Sequence, residues 1–168
     1  MRLASLGAGC LVLIALLSSV SGARPQDDEK NAPETLIKSA KFLEDKPLDS
    51  KAKDVRAWAL KWLIATDKVS VTICSLLVSG IDKKYKYSGE IFSQYTIGMA
   101  AFKLSKPEKA SDEDGAQLAG IESALTSYTA MVKEQPKSKN TFLDELLAKR
   151  SSGELVTFVK ENNCKEKK

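Results

Sequence analysis

The sequence contains no histidine in its 168 residues, and that absence excludes several large classes of chemistry. Without an imidazole the chain forms neither a Ser-His-Asp nor a Cys-His catalytic arrangement, and no histidine-ligated zinc, iron or copper site. The two glycine patterns that most often cradle nucleotide phosphates, Gly-x-x-x-x-Gly-Lys-[Ser/Thr] and Gly-x-Gly-x-x-Gly, are missing as well. We therefore expect no catalytic site, no metal site, no cofactor and a non-enzymatic role.

One enzymatic alternative stays open, a small enzyme that uses carboxylates or a Ser/Lys pair. Ser50 and Lys53 form Ser-x-x-Lys at a helix start, the pattern in which penicillin-recognising enzymes carry their nucleophile. The Ser-Asp-Asn and Lys-Thr-Gly elements of those enzymes are absent, so a helix cap followed by a surface lysine explains the pair better. The 22 acidic residues select no catalytic pair, because Glu34, Glu90 and Glu122 lie near helix starts or on polar faces.

The N-terminus has the composition of a secretory signal. A basic residue precedes an apolar run over residues 3–17, and Ser21 and Ala23 supply the small side chains for cleavage after residue 23. Cleavage one residue earlier and a retained membrane anchor are the alternatives. Cys10 lies too early for lipid attachment, since most of the apolar run follows it. Residues 1–23 are therefore predicted to be a signal peptide of a secreted or periplasmic protein, and the lack of an Asn-x-[Ser/Thr] sequon favours a bacterial envelope.

The processed chain is long enough for one domain with a core of its own. Removal of residues 1–23 leaves 145 residues with a net charge of +3, and the two signs are interspersed. The run from Lys83 to Tyr87 mixes charge and aromatic rings in a way that suits nucleic acid, but it is short, and we expect a solvated loop. We expect a monomer that binds an unknown protein or small ligand, with no nucleic acid and no membrane contact after signal cleavage.

The first helices are predicted from apolar periodicity. Residues 24–32 are polar and predict a flexible tether, and the domain is expected to span residues 33–168, with a first helix that begins near Pro33. A second helix is expected from about Ser50 to Thr66. Its apolar residues cover so much of its circumference that we expect a central position. Trp58 and Trp62 are neighbours on its surface; we expect both in the core, with a pair of ligand-facing aromatics as the alternative.

The stretch from Val69 to Ile81 is ambiguous between helix and strand. Its opening alternates and is rich in β-branched residues, as in a strand. As a helix it places Val69, Ile73 and Leu77 on one face, and the chain offers no convincing second strand to pair with it. We therefore expect a helix.

Residues 88–132 predict an antiparallel helix hairpin around which the fold is built. Two apolar stripes with helical period face each other across a polar link, and small residues beside them allow close backbone approach. The first stripe consists of Ile91, Tyr95, Met99 and Phe102, and the second of Leu118, Ile121, Leu125, Tyr128 and Val132. In the link, Ser111 and Asp114 predict a capping box. A calcium loop does not fit, because a glycine at its sixth position would place Ala110 and Ile121 at its ends.

The second hairpin helix resembles the second helix of a tetratricopeptide repeat. Ala124, Tyr128, Met131 and Pro136 have its spacing, and the chain around Gly98 is similar to part of a first helix. The pair exceeds the repeat of about 34 residues by about a dozen, and no second copy is visible. The resemblance implies a packed helix pair and no peptide-binding role.

The C-terminal part predicts two short helices and a disulfide. Ser138 or Asn140 opens the first helix and Gly153 ends it, and the second runs to about residue 162. Two cysteines, Cys74 and Cys164, remain in a chain sent to an oxidising compartment, which predicts an intramolecular disulfide. An intermolecular bridge or two free thiols are the alternatives.

The fold expected is an all-α, single-domain bundle of about six or seven helices. The function expected is that of an exported binding or interaction protein. The alternatives are a periplasmic inhibitor, immunity or chaperone-like protein, and the histidine-free enzyme described above.

Overall fold

The structure is a computed structural model that describes residues 25–162 and Cys164. The predicted signal peptide, residues 1–23, lies outside the described residues. Within them the chain is helical and contains no strand, which confirms the predicted all-α class. The helices are α1 (Pro25–Asp45), α2 (Ala52–Ala65), α3 (Ser88–Ser105), α4 (Glu113–Glu134), α5 (Thr141–Ser152) and α6 (Leu155–Asn162), with 3-10 turns at Ser75–Val78, Pro107–Lys109 and Pro136–Ser138.

Helix α1 begins eight residues earlier than the sequence predicts. Pro33 lies inside the helix, not at its start, and Ala32 is already buried. Residues 25–32, for which we expected a flexible tether, therefore belong to α1.

Helices α3 and α4 form the predicted antiparallel hairpin at the centre of the bundle. Contacts run in opposite order along the two helices, since Gln94 bonds Ser123 while Lys103 pairs with Glu113. Ile91, Tyr95, Met99, Leu125 and Tyr128 are fully buried, and Phe102 and Leu118 are half-buried. The glycines bring the backbones together as predicted: a Cβ on Gly98 would lie 2.5 Å from the Ser123 Cβ, and one on Gly120 would lie 2.7 Å from the Tyr95 carbonyl oxygen.

The predicted central position of α2 is wrong. Only Ala52 and Ala59 of this helix are buried, whereas α3 has nine buried residues and α4 has ten. Helix α2 lies at the edge, where it packs on α1 and α3 through half-buried side chains, and Ile64 is 88% exposed. The width of the apolar face of a helix shows how much of its surface should be buried, but it does not show how many neighbouring helices bury that surface.

Two predicted helix caps are also wrong. Ser50 does not cap α2, because the residue before this helix is Lys51 and no side chain caps it; Asp49 instead accepts the Lys51 N–H at 2.8 Å. Asp112, not Ser111, caps α4 and accepts the Gly115 N–H at 2.9 Å. In both links an aspartate, and not the predicted serine, accepts a backbone N–H near the start of the helix.

The stretch from 69 to 81 is neither the predicted helix nor a paired strand. Residues 69–74 have no regular secondary structure, with Cys74 in the extended region, and only the turn Ser75–Val78 is helical. Side chains of the hairpin donate to or accept from the backbone of residues 69–74. The Lys103 ammonium donates to the Ser70 carbonyl at 3.0 Å, the Gln117 amide donates to the Thr72 carbonyl at 2.6 Å, and the Tyr95 hydroxyl accepts the Cys74 N–H at 3.3 Å. These bonds replace the helical ones, so local periodicity does not decide the conformation.

The C-terminal helices agree with the prediction. Asn140 caps α5 by accepting the Leu143 N–H at 3.1 Å, and Gly153 ends it in the left-handed region, with φ of 81°. Helices α5 and α6 pack against each other and against α4. Cys74 and Cys164 lie at disulfide distance, with Cα atoms 5.4 Å apart.

Candidate functional site

The two tryptophans proposed as candidate ligand-facing aromatics lie on the outer part of the bundle. Trp58 and Trp62 stack on each other with ring centroids 6.4 Å apart and planes 8° from parallel. Trp62 is half-buried against the cluster that α1, α2 and α3 share, while Trp58 is 37% exposed. The core position expected of Trp58 is therefore wrong. Neither ring lines the cleft described below.

The residues of the enzymatic alternative are spread over the surface. Ser50 and Lys53 are both exposed, the first in the α1–α2 link and the second at the start of α2. Glu34 forms an exposed ion pair with Lys38 at 2.7 Å, which lowers the pKa of its carboxyl through that hydrogen bond and the lysine charge. Glu122 is exposed on α4. In the described part of the chain, no three Asp, Glu or Cys side chains come together as a metal site would need.

An apolar cleft opens between the segment 75–83 and the first turns of α3. It encloses about 290 Å³, close to the lower limit of small-molecule sites. The side chain of Phe92 is 41% exposed there. The lining residues are Val78, Ile81, Lys83, Ser88, Gly89 and Phe92.

Glycines shape this cleft on both walls. A Cβ on Gly80 would overlap the ring of Phe142, so this position holds the segment 75–83 close to α5. A Cβ on Gly89 would meet nothing within 4 Å, and this residue leaves the α3 side of the cleft open. Beneath the cleft, Val78 and Ile81 continue into an apolar seam with Leu77 and other residues of the main core. The floor is therefore part of the packed interior and the mouth is free.

The charge at the mouth is positive. Lys83 lines the cleft, and no carboxylate in the described residues lies within salt-bridge distance of its ammonium group. The Asp82 carboxylate accepts the Lys84 N–H at 2.7 Å and so is engaged by the backbone of its own turn. Burial lowers the pKa of Arg56, and the charge of Glu90 acts in the opposite direction. The exposed lysines of residues 83–86 outnumber the two carboxylates, Asp82 and Glu90.

The loop 82–87 is solvated, as we expected, only at its charged residues, because its two tyrosines are docked on the bundle. The Tyr85 hydroxyl donates to the Ser138 carbonyl at 2.7 Å, and the Tyr87 hydroxyl donates to the Gln135 side chain. Tyr87 is buried and Tyr85 is half-buried, and burial raises the pKa of the Tyr85 hydroxyl well above its usual range. Rings held in this way are not free to stack on nucleic-acid bases.

A second, more polar groove runs between α1 and the hairpin. The Gln94 amide donates to the Ser123 hydroxyl at 2.8 Å, and that hydroxyl donates to the Glu44 carboxylate at 2.7 Å. The same amide donates to the Ala40 carbonyl at 3.1 Å. The chain of bonds joins three helices, and we assign it the structural role of fixing α1 on the hairpin.

Sequence reasoning missed the cleft, although one signal was available. Phe92 follows Ile91 directly and so falls outside the apolar stripe of α3, which leaves a large aromatic ring without a predicted partner. The opposite wall gave no signal, because we expected residues 75–81 to be helical.

No protein-family model, curated protein or solved structure matches this chain. None of the helices in the described ranges is both long enough and apolar enough to cross a bilayer.

Proposed function

We propose that this protein is an exported, non-enzymatic binding protein that holds a partner protein in the cleft between residues 75–83 and α3. The observation that carries the proposal is the apolar cleft itself, open to solvent and continuous with the core beneath it. Exposed apolar grooves on folded domains occur at interaction and ligand-binding sites. Ile73 and Leu76, 43% and 56% exposed, belong to the same stretch of chain as one wall of the cleft.

The lining supports binding over catalysis. Lys83 is the one ionisable side chain among the described residues that line the cleft. General acid–base and nucleophilic mechanisms require a second polar group within hydrogen-bond reach of the first. Ser88 is the other polar side chain of the lining, and among the described residues no hydrogen bond joins it to Lys83. The neighbours of Lys83 in the lining are two aliphatic side chains, a phenyl ring, a serine and a glycine, which suit an apolar partner group.

Export is part of the proposal and rests on two observations. The N-terminal residues have the composition of a signal peptide, and Cys74 and Cys164 lie at disulfide distance. Disulfides form and persist in oxidising compartments. An inhibitor or immunity protein would be one form of this function, recognised by loss of the partner's activity on binding.

The test is capture of the partner from the native compartment by three forms of the exported protein. Phe92→Glu places a charge at the mouth of the cleft, whereas Val156→Glu changes a residue of matched exposure, 42%, on α6, outside the cleft. We expect the parent and Val156→Glu to recover the same partner, and Phe92→Glu to lose it while its circular dichroism is unchanged. Equal recovery by all three forms would assign binding to another surface.

A further inference from the structure

We infer that the occupant of the cleft is an acidic segment of the partner protein that inserts one apolar side chain. This inference rests on the proposed function and specifies the chemistry of the partner. Its two parts, an apolar anchor and flanking negative charge, come from different observations.

The apolar anchor follows from the shape and lining of the cleft. The volume of about 290 Å³ accommodates one large side chain and is small for an extended ligand. Val78, Ile81 and Phe92 offer aliphatic and aromatic surface to that side chain. Interface energy concentrates where an apolar or aromatic side chain fills such a pocket.

The negative charge of the segment follows from exposed lysines in and beside the cleft. Lys83 lines the cleft, and Lys84 and Lys86 are exposed side chains next to it in sequence. Asp82 and Glu90 are the acidic residues of this region, and the hydrogen bond from the Lys84 N–H leaves the charge of Asp82 in place. Three lysine charges therefore face two carboxylate charges, and the local balance is positive by one. Lys86 lies over the Tyr87 ring, with its ammonium 4.9 Å from the ring centroid, and this contact leaves its charge in place. Electrostatic complementarity across an interface then selects carboxylates on the partner.

A nucleic-acid strand would also bring negative charge, but the aromatic groups here do not suit it. Tyr85 and Tyr87 donate hydrogen bonds to residues near the end of α4 and are turned towards the bundle. Strand binding relies on successive bases stacked on open aromatic faces. A protein segment needs only the one apolar insertion that the cleft provides.

The experiment measures fluorescence anisotropy of three labelled octapeptides with the exported, full processed protein. Each peptide has a central phenylalanine-leucine pair, and the other six positions are mostly glutamate, mostly glutamine or mostly lysine. We expect the glutamate peptide to bind at least about ten-fold more tightly than the glutamine peptide, and the lysine peptide not to bind. High salt should reduce the advantage of the glutamate peptide, because the lysines are exposed.

Charge-reversal variants locate the effect. Lys83→Glu should abolish the preference for the glutamate peptide, while Lys160→Glu, an equal change of net charge at an exposed position of α6, should retain it. Equal binding of the three peptides, no binding of any of them, or tighter binding of a labelled oligothymidine would each overturn the acidic-segment inference. The peptide experiment tests only the acidic-segment inference. The capture experiment with Phe92→Glu tests the proposed function independently of it.

Discussion

One tyrosine of the core has a buried ring and a hydroxyl that is hydrogen-bonded. Tyr128 is fully buried on α4, donates to the Asp144 carboxylate at 2.8 Å and accepts the Asn140 N–H at 2.7 Å. Burial raises the pKa of Tyr128 to about 12. The hydroxyl therefore links the end of the central hairpin to the cap of α5 and remains neutral well into the alkaline range.

This pKa predicts a pH dependence of stability. The pKa of an unfolded tyrosine is about 10, so between about pH 10 and about pH 12 the unfolded chain has released a proton that the folded chain retains. The stability that Tyr128 contributes is fully present below about pH 10 and is lost as pH rises through about 12. Urea denaturation at pH 8 and pH 11 should show a smaller difference for Tyr128→Phe than for the parent. An unchanged difference would mean that other groups, such as Tyr95, account for the alkaline loss.

Residue identities in the hairpin also explain why the segment 69–74 escaped prediction. Its conformation depends on Lys103 and Gln117, which follow it by about 30 to 45 positions and bond the Ser70 and Thr72 carbonyls. A local sequence pattern contains no information about either contact. Before the fold is known, a lysine or glutamine is expected at the surface, although these two are buried. Sequence reasoning therefore failed where long-range side-chain bonds replace local backbone bonds.

At the scale of elements, the fit of α3 against α4 depends on glycine. Gly120→Ala adds a Cβ that would lie 2.7 Å from the Tyr95 carbonyl oxygen and 2.6 Å from the Met99 side chain, so the two helices must move apart. Alanine otherwise favours a helix interior over glycine by roughly 1 kcal/mol. We expect the steric term to dominate and Gly120→Ala to lower the free energy of unfolding by roughly 1 to 3 kcal/mol.

The control for this substitution is Gly89→Ala in the first turn of α3. A Cβ there meets nothing within 4 Å, so only the helix propensity changes and stability should be unchanged or slightly higher. Chemical denaturation of both variants measures the contrast. A Gly120→Ala variant as stable as Gly89→Ala would show that the hairpin does not require close backbone contact.

The sequence predicted those helices that have a matching apolar partner or signals at both ends. The hairpin helices have apolar stripes that need each other, and α5 has both a capping asparagine and a terminal glycine. The position of α2 was not predictable, because its apolar width does not tell how many neighbouring helices cover it. The cleft was not predictable either, since it forms only when the segment 75–83 is held against α3 and α5 by contacts distant in sequence.

At the scale of the whole molecule, the predicted disulfide joins residues 90 positions apart. The Cα separation of 5.4 Å is within the usual range for a bridge, and Cys74 is buried in the main core. In the chain-entropy model, closure of a loop of this length stabilises the fold by roughly 4 to 5 kcal/mol. Non-reducing mass spectrometry of the protein produced in an oxidising compartment should find one peptide pair that contains both cysteines.

Reduction should lower the melting temperature of the protein produced in an oxidising compartment. The double variant Cys74→Ser, Cys164→Ser should melt near the temperature of the reduced parent, both with and without reductant. A dimer that separates on reduction, or two thiols accessible to alkylation in each chain, would contradict the intramolecular bridge.

A chain closed at these two cysteines divides into a covalent ring and an open arm. The ring contains α3, α4, α5 and α6, whereas α1 and α2 precede Cys74 and belong to the arm. After a single protease cut inside the ring, denaturation would leave both fragments attached until reductant is added. After a cut in the link between α2 and Cys74, denaturation alone would separate the arm. Peptide mapping with and without reductant would thus distinguish the two parts of one hydrophobic bundle by their connectivity alone.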